Sequence, residues 1–372
     1  MAAGDLWDAG ALAVVLAVLL VVTGALLVRE RGTARRLRAL VEATAPPPSP
    51  VPARVERPAR PRAGIVVNPS KFAHLDEHAV RRRQAYTAAV FRSHGWEDPL
   101  WLETTPAERG AEQAREALAA GVDIVLAVGG DGTVRAVAEA MTGTGVPMGL
   151  LPAGTGNLLA RNLDVPHADL AAALDLVFSA PDTAVDVGWL TVDRTGSDAD
   201  PEQHLFLVMA GLGFDAAVMA GVEDRLKRHL GYGAYVVSGA RALWGPQARV
   251  RVGVDGGGLQ PVRTRAVIVG NCGRLTRNLV LMPDARVDDG LLDAVVLSPR
   301  GGIAWGEVVW AILTRDRRGQ RRVQRLRGRT FEVRCAEPQE VELDGDPVGT
   351  ALRIGVAVEP GVLLVRCPPQ HA

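Results

Sequence analysis

Three runs of apolar residues, each cut off by glycine, proline or asparagine, limit the folds open to this chain more than any other feature. The first is Ala63-Gly64-Ile65-Val66-Val67, stopped by the turn residues Asn68-Pro69-Ser70. The second runs from Asp123 to Val128 and meets Gly129-Gly130. The third contains Leu150-Leu151 and meets Pro152-Ala153-Gly154. Between the first two lie a helical segment near Glu77 to Ser93, a strand at Pro99 to Glu103 and a second helical segment near Glu108 to Ala120. Strands with no polar face that alternate with helices predict a mainly parallel sheet covered on both sides. Ligands of such sheets sit beyond the carboxyl ends of the strands, which is where the glycines fall.

Two of those ends have the build of anion sites. Gly129-Gly130-Asp131-Gly132-Thr133 follows a buried strand and opens a helix through Val134, Val137, Ala138 and Met141. Glycine lets backbone approach a phosphate, and the helix start supplies unpaired N–H groups and partial positive charge. Pro152-Ala153-Gly154-Thr155-Gly156-Asn157 repeats the design before a helix at Leu158 to Arg161, with Thr155 and Asn157 offering side-chain hydrogen bonds. Two such loops on neighbouring strands can embrace one polyphosphate. No Walker loop occurs, and Gly211-Leu212-Gly213 reads as a strand-to-helix corner rather than a dinucleotide fingerprint.

At 372 residues the chain calls for two globular domains plus accessory segments. Its 42 basic and 42 acidic residues cancel, which argues against general nucleic-acid binding. Three scattered cysteines, Cys272, Cys335 and Cys367, form no metal or disulfide pattern and suit a reduced compartment. Ala9 to Val28 carries no charge, and as a helix would span about 30 Å, enough to cross a bilayer. Asp5 and Asp8 precede it and Arg29, Arg31, Arg35, Arg36 and Arg38 follow, which predicts a single-pass cell-membrane anchor with the rest of the chain in the cytoplasm. A cleaved signal sequence is the alternative. Residues 46–62 are proline-rich and basic, an extended spacer whose arginines either touch anionic headgroups or merely tether.

From about Thr183 the pattern turns to short β runs: Thr183 to Val192, Leu205 to Ala210, Ala248 to Val254, Val262 to Asn271, Leu291 to Leu297, Thr330 to Cys335 and Val341 to Leu343. These predict an antiparallel, sandwich-like domain. Helical interludes are expected near residues 215–229, 233–243 and 303–314. The expected fold is therefore α/β plus β. A transmembrane helix (1–30) and a basic linker (31–62) precede an α/β nucleotide-binding domain (63–182) and a β-rich domain (183–372) that takes the substrate.

In order and spacing these motifs resemble the diacylglycerol kinase catalytic-domain family, which includes bacterial diacylglycerol kinases and sphingosine kinases and is related to NAD kinases. The likeness rests on Asn68-Pro69-Ser70, Thr104-Thr105, GGDGT at Gly129 to Thr133 and the Pro152 to Asn157 loop. In the second half it rests on Asp289-Gly290-Leu291-Leu292-Asp293 and Asp344-Gly345-Asp346. It implies ATP in a cleft between the two domains, held by Asn68, Thr104, Gly129, Gly130, Asp131, Gly132, Thr133, Thr155, Gly156 and Asn157. It also implies Asp346 as the carboxylate that accepts the proton of a lipid hydroxyl, with Asp131 orienting catalytic groups or the nucleotide. Magnesium is expected with ATP, and Asp289, with backbone oxygens near Arg286 and Leu291, resembles a metal position of the relatives.

Two departures stand out. Many relatives carry Asn-Glu after GGDGT and one more residue, where this chain has Arg135-Ala136, so that Arg135 could meet a phosphate instead. The last motif usually ends in Glu and here ends in Asp346. The implied activity is a diacylglycerol kinase acting on lipid in the bilayer, with a homodimer left open. A sphingoid-base, polyisoprenoid or other lipid-alcohol kinase, an NAD kinase and a silent nucleotide- or lipid-binding protein are the alternatives.

Overall fold

The structure, a computed structural model, describes residues 60–213, 247–275, 280–299 and 323–370. Its first half is built as the apolar runs require. Strand β1 (Ala63–Val67) is buried along its whole length, as is β3 (Ile124–Gly129). With β2 (Leu100–Glu103) and β4 (Met148–Pro152) they form a parallel sheet in the order β2-β1-β3-β4. Helix α1 (Glu77–Ser93) starts at Asp76, whose side chain accepts the Ala79 N–H at 2.6 Å. Helix α2 (Ala111–Ala119) starts later than the sequence pattern suggests. Glu108 stays outside it and turns its carboxylate back onto the N–H groups of Gly110, Ala111 and Glu112. Helices α3 (Asp131–Met141), α4 (Leu158–Asn162) and α5 (Leu170–Ser179) complete this half.

The second half is antiparallel. Strands β5 (Asp182–Asp193), β6 (Glu202–Phe206), β7 (Met209–Leu212), β8 (Ala248–Val254), β9 (Gln260–Thr264), β10 (Ala266–Gly270), β11 (Leu292–Leu297), β12 (Val323–Gly328), β13 (Thr330–Leu343) and β14 (Asp346–Arg366) account for it among the described residues. Four predicted strands differ in detail. Leu205 to Ala210 is broken at Leu207–Val208, because the backbone N–H groups of Leu207, Val208 and Met209 all donate to the Asp344 carboxylate. Val262 to Asn271 is divided near Arg265, where the Thr264 hydroxyl donates to the carbonyls of Ala266 and Leu297 and accepts the Ala266 N–H. Thr330 to Cys335 and Val341 to Leu343 are one strand, β13, with an irregularity between Arg334 and Gln339. The expected helices at 215–229, 233–243 and 303–314 lie outside the described residues, and Gly213 leaves β7 with a positive φ of 69°.

The sequence pattern does not say whether the segment after β13 rejoins the first domain. That segment does: β14 pairs along β13 and β5, then at Val365 and Arg366 runs parallel to Met148 and Gly149 of β4. Among the described residues one sheet of fourteen strands thus links both halves. One core cluster surrounds the parallel strands and takes in Leu363, Val365 and Cys367; another, with Phe206, Val333 and Ile354, fills the β-rich half.

The reading of this protein as a single-pass membrane protein is corrected. Among the described residues no helix is long and apolar enough to cross a membrane. The longest of them, α1, has 17 residues and carries Arg81, Arg82 and Arg83. The segment on which the reading rested, residues 1–30, lies outside the described residues, as does the linker up to residue 59.

Candidate active site

The parallel sheet brings the ends of β1, β3 and β4 side by side. Asn68 N–H donates to Val128 O, Thr104 N–H to Val67 O, and Ala153 N–H to Gly129 O, so the turns leaving adjacent strands are stitched to one another. The two glycine loops then meet in van der Waals contact: a Cβ on Gly154 would lie 2.6 Å from the Gly130 Cα. Side chains other than glycine cannot bring two backbones that close.

The polar side chains of these loops mostly build the loops. Asn68 Oδ1 accepts the Ser70 N–H and hydroxyl, while its Nδ2 reaches Thr133 Oγ1 at 3.2 Å, which ties the first turn to GGDGT. Asn157, left-handed at φ 48°, closes its own loop by bonding both N–H and C=O of Gly154. Asp131 spends both carboxylate oxygens on the second loop: Oδ2 accepts Asn157 N–H at 2.9 Å and Oδ1 accepts Leu158 N–H at 2.6 Å. Burial pushes the Asp131 carboxyl up, and these N–H groups pull against that. Thr155 is exposed on the second loop, and Thr104 is buried at the end of β2.

A carboxylate from the β-rich half comes to the same place. Asp346 follows a tight turn in which Asp344 and Gly345 both have positive φ, 50° and 89°. Its Oδ2 lies 3.6 Å from where a Cβ on Gly132 would stand, directly over GGDGT, and an Arg109 Nη1 lies 3.5 Å from the same point. Asp346 pairs with Arg135 at 2.9 Å and with Arg109 at 3.4 Å. Beneath it Asp344 is buried, accepting three backbone N–H groups. Burial pushes its carboxyl up against the pull of Arg135 and those donors. Lys71 stands at the mouth of the first loop, its Nζ 3.7 Å from a Gly130 Cβ position.

Of the residues the motifs single out, the fold brings Asn68, Gly129 to Thr133, Thr155, Gly156, Asn157 and Asp346 around the two loops, with Thr104 at the end of β2 beside the first turn. Lys71 and Arg109 stand with them and were not singled out from sequence. Lys71 had a usable signal, a cation one residue after Asn-Pro-Ser at a strand end. Arg109 had none, since it meets Asp346 across 237 residues of chain. Arg135, singled out from sequence as a residue that could meet a phosphate, donates to the Asp346 carboxylate and the Leu343 carbonyl.

Asp289, Arg286 and Leu291 lie apart from this group, in the turn before β11. Asp289 Oδ1 accepts the Leu291 N–H, Oδ2 is ion-paired with Arg327, and Arg286 pairs with Asp288. Both Asp289 oxygens are taken, and among the described residues no group of three or more His, Cys, Asp or Glu side chains is disposed to hold a metal ion. As arranged, this carboxylate does not fit a cation unless Arg327 moves. The neighbourhood is nonetheless crowded with negative charge. Asp186 receives Gly290 and Gly361 N–H, yet burial with nearby Asp289 and Asp288 pushes it up to about 6, and burial pushes Asp293 to about 6 against the pull of Arg327.

Comparison with known proteins bears on the family of the chain. The family described as the diacylglycerol kinase catalytic domain matches residues 65–190, and the YegS C-terminal NAD kinase beta sandwich-like domain matches residues 208–367. A Pseudomonas putida protein named "Probable lipid kinase YegS-like" is 35% identical over 257 residues, covering 68% of this chain and 80% of the relative. One of the same name from Pseudomonas aeruginosa PAO1 is 35% identical over 266 residues, 68% of this chain and 79% of the relative. Among solved structures, a diacylglycerol kinase from Bacillus anthracis str. Sterne shares the fold with a TM-score of 0.59 at 19% identity, covering 84% of this chain and 98% of that one. With matched segments on both halves of the fold and relatives alike over most of their length, the chain belongs to the YegS/diacylglycerol kinase family of lipid kinases.

Proposed function

We propose that this protein transfers the γ-phosphate of ATP, carried as its magnesium complex, to the hydroxyl of diacylglycerol, giving phosphatidate and ADP. The observation that carries this reading is the approach of the Asp346 carboxylate to Gly132, 3.6 Å from a Cβ position there. It brings an acceptor for a proton to the edge of a loop built for phosphate.

The triphosphate would lie along GGDGT and the Pro152 to Asn157 loop, against the N–H groups that open α3 and beside the Lys71 ammonium. The lipid hydroxyl oxygen attacks the γ-phosphorus in line, the bond to the bridging oxygen of ADP breaks, and the hydroxyl proton passes to Asp346. The neighbouring Arg109 guanidinium would oppose the charge of the transferring group. Diacylglycerol is favoured among lipid alcohols by the family description that matches residues 65–190.

The test is transfer of radiolabelled γ-phosphate to a panel of lipids in mixed micelles by wild type, Asp346→Asn and Asp131→Asn. Label in phosphatidate, made by wild type and lost by at least about 100-fold in Asp346→Asn, is expected. Label in a sphingoid base instead would change the acceptor. Label in NADP, or none with ATP still bound, would sink the lipid-kinase reading.

A further inference from the structure

Arg135 has more invested in it than a surface charge. It sits one turn after Asp131 on α3, a helix anchored by buried Val134, Val137, Ala138 and Met141. Its side chain is 15% exposed. Nη1 donates to the Leu343 carbonyl at 2.9 Å, and Nη2 to Asp346 Oδ2 at 2.9 Å. The same Nη1 is 3.9 Å from the buried Asp344. One planar group thus grips the tight turn on both sides, at the residue before it and the residue after it, and does so from the helix that begins at the phosphate loop.

Asp346 needs such a grip. Its side chain is 46% exposed, and Gly345 at the centre of the turn supplies no side chain to brace it. Arg109, its other partner, is 62% exposed and 3.4 Å away, a looser contact at the rim. We infer that Arg135 is the positioning residue for the transfer step. Its fork fixes the Asp346 carboxylate relative to GGDGT, so that the proton acceptor of the β-rich half is registered against the nucleotide of the α/β half. This rests on the kinase reading above. The fork matters as much as the charge: a lysine ammonium on a flexible stem cannot hold Leu343 O and Asp346 in the parallel geometry a guanidinium imposes.

Two plainer roles give different signatures. A phosphate ligand would show itself in the affinity for ATP, and a mere counter-charge for Asp344 in stability. Removing the cation altogether leaves Asp344 buried and unbalanced, and such a variant can fail to fold. The informative variant is therefore Arg135→Lys, which keeps the charge, examined beside Asp346→Asn and the double variant. In the lipid-phosphorylation assay Arg135→Lys is expected to lower kcat about 30- to 100-fold, because a misplacement of about 1 Å costs that order of rate. KM for ATP should stay within about twofold and melting within a few degrees. The double variant should be no slower than Asp346→Asn beyond about threefold, since a residue acting through another loses its effect when that other is gone. A wild-type kcat in Arg135→Lys, a change confined to KM for ATP, or losses that multiply in the double variant would overturn the proposal while leaving the kinase reading intact. Failure of wild type to phosphorylate any lipid would overturn both.

Discussion

Asp131 Oδ1 accepts the Leu158 N–H at 2.6 Å, so the residue that opens one phosphate-side helix also caps the next. The two glycine loops are for this reason one structural unit rather than two adjacent motifs.

Asp131→Asn tests that unity. An asparagine has one acceptor oxygen for the two N–H groups that the carboxylate now satisfies, and charge-assisted bonds of this kind contribute about 1.5–3 kcal/mol each. Thermal melting should report a loss of about 1–3 kcal/mol, and ATP titration a loss of affinity of tenfold or more on the order expected for a displaced loop. Unchanged ATP affinity would mean that the second loop holds its shape alone.

The contact between the loops admits a steric test. In Gly154→Ala the new methyl would stand 2.6 Å from Gly130 Cα and 2.9 Å from Asn157 Oδ1, and backbone offers no easy retreat. The loops should separate, at a cost of about 1–3 kcal/mol in stability. KM for ATP should rise further than kcat falls, measured in the same phosphorylation assay.

The acidic neighbourhood of Asp186 sets a pH dependence with a definite sign. Asp186 and Asp293 have folded pKa values of about 6, above the ordinary 3.8 of an unfolded aspartate. Between those values the folded chain still holds protons that the unfolded chain has released, so stability falls as pH rises through the window. Lowering pH from 7 to 5 should raise the melting temperature, and Asp186→Asn, with no charge to lose, should flatten that slope. A melting temperature that falls steadily from pH 7 to 5 in wild type would contradict this arrangement.

Arg327 and added magnesium should compete for Asp289. In wild type the guanidinium occupies the carboxylate, so millimolar magnesium should leave melting nearly unchanged. In Arg327→Gln one Asp289 oxygen is released into a crowd of aspartates, and magnesium at ten times its dissociation constant should stabilise by about 1.4 kcal/mol, roughly 2–4 °C. Equal, large shifts in both proteins would show that the cation finds its ligands without displacing Arg327.

How much of this was legible in the sequence depended on the range of the forces involved. Helix α1 was readable because its start is written locally in Asp76 and its end in Gly95, and the phosphate loops because glycine at a strand end has a backbone reason to be there. The break in the predicted strand at Leu205 to Ala210 was not, since its cause is the carboxylate of Asp344, more than 130 residues further on. The same holds within the site. Asp346 came from a motif, whereas the partners that fix it, Arg135 and Arg109, come from another part of the chain, and only the closed fold brings them within reach. Asp289 shows the converse: the motif that drew attention to it says nothing of Arg327, which occupies it.

The pairing of Val365 with Met148 bears on how the protein is made. Until β14 leaves the ribosome, the parallel sheet ends at β4, whose outer edge offers unpaired N–H and C=O groups to any passing strand. Once made, the α/β half must wait, exposed, for a strand that lies far along the chain, and contacts so distant in sequence form slowly. A premature stop anywhere before β14 would leave a sticky edge rather than a smaller kinase, and synthesis of this protein should lean on chaperones that shield sheet edges until β14 has emerged.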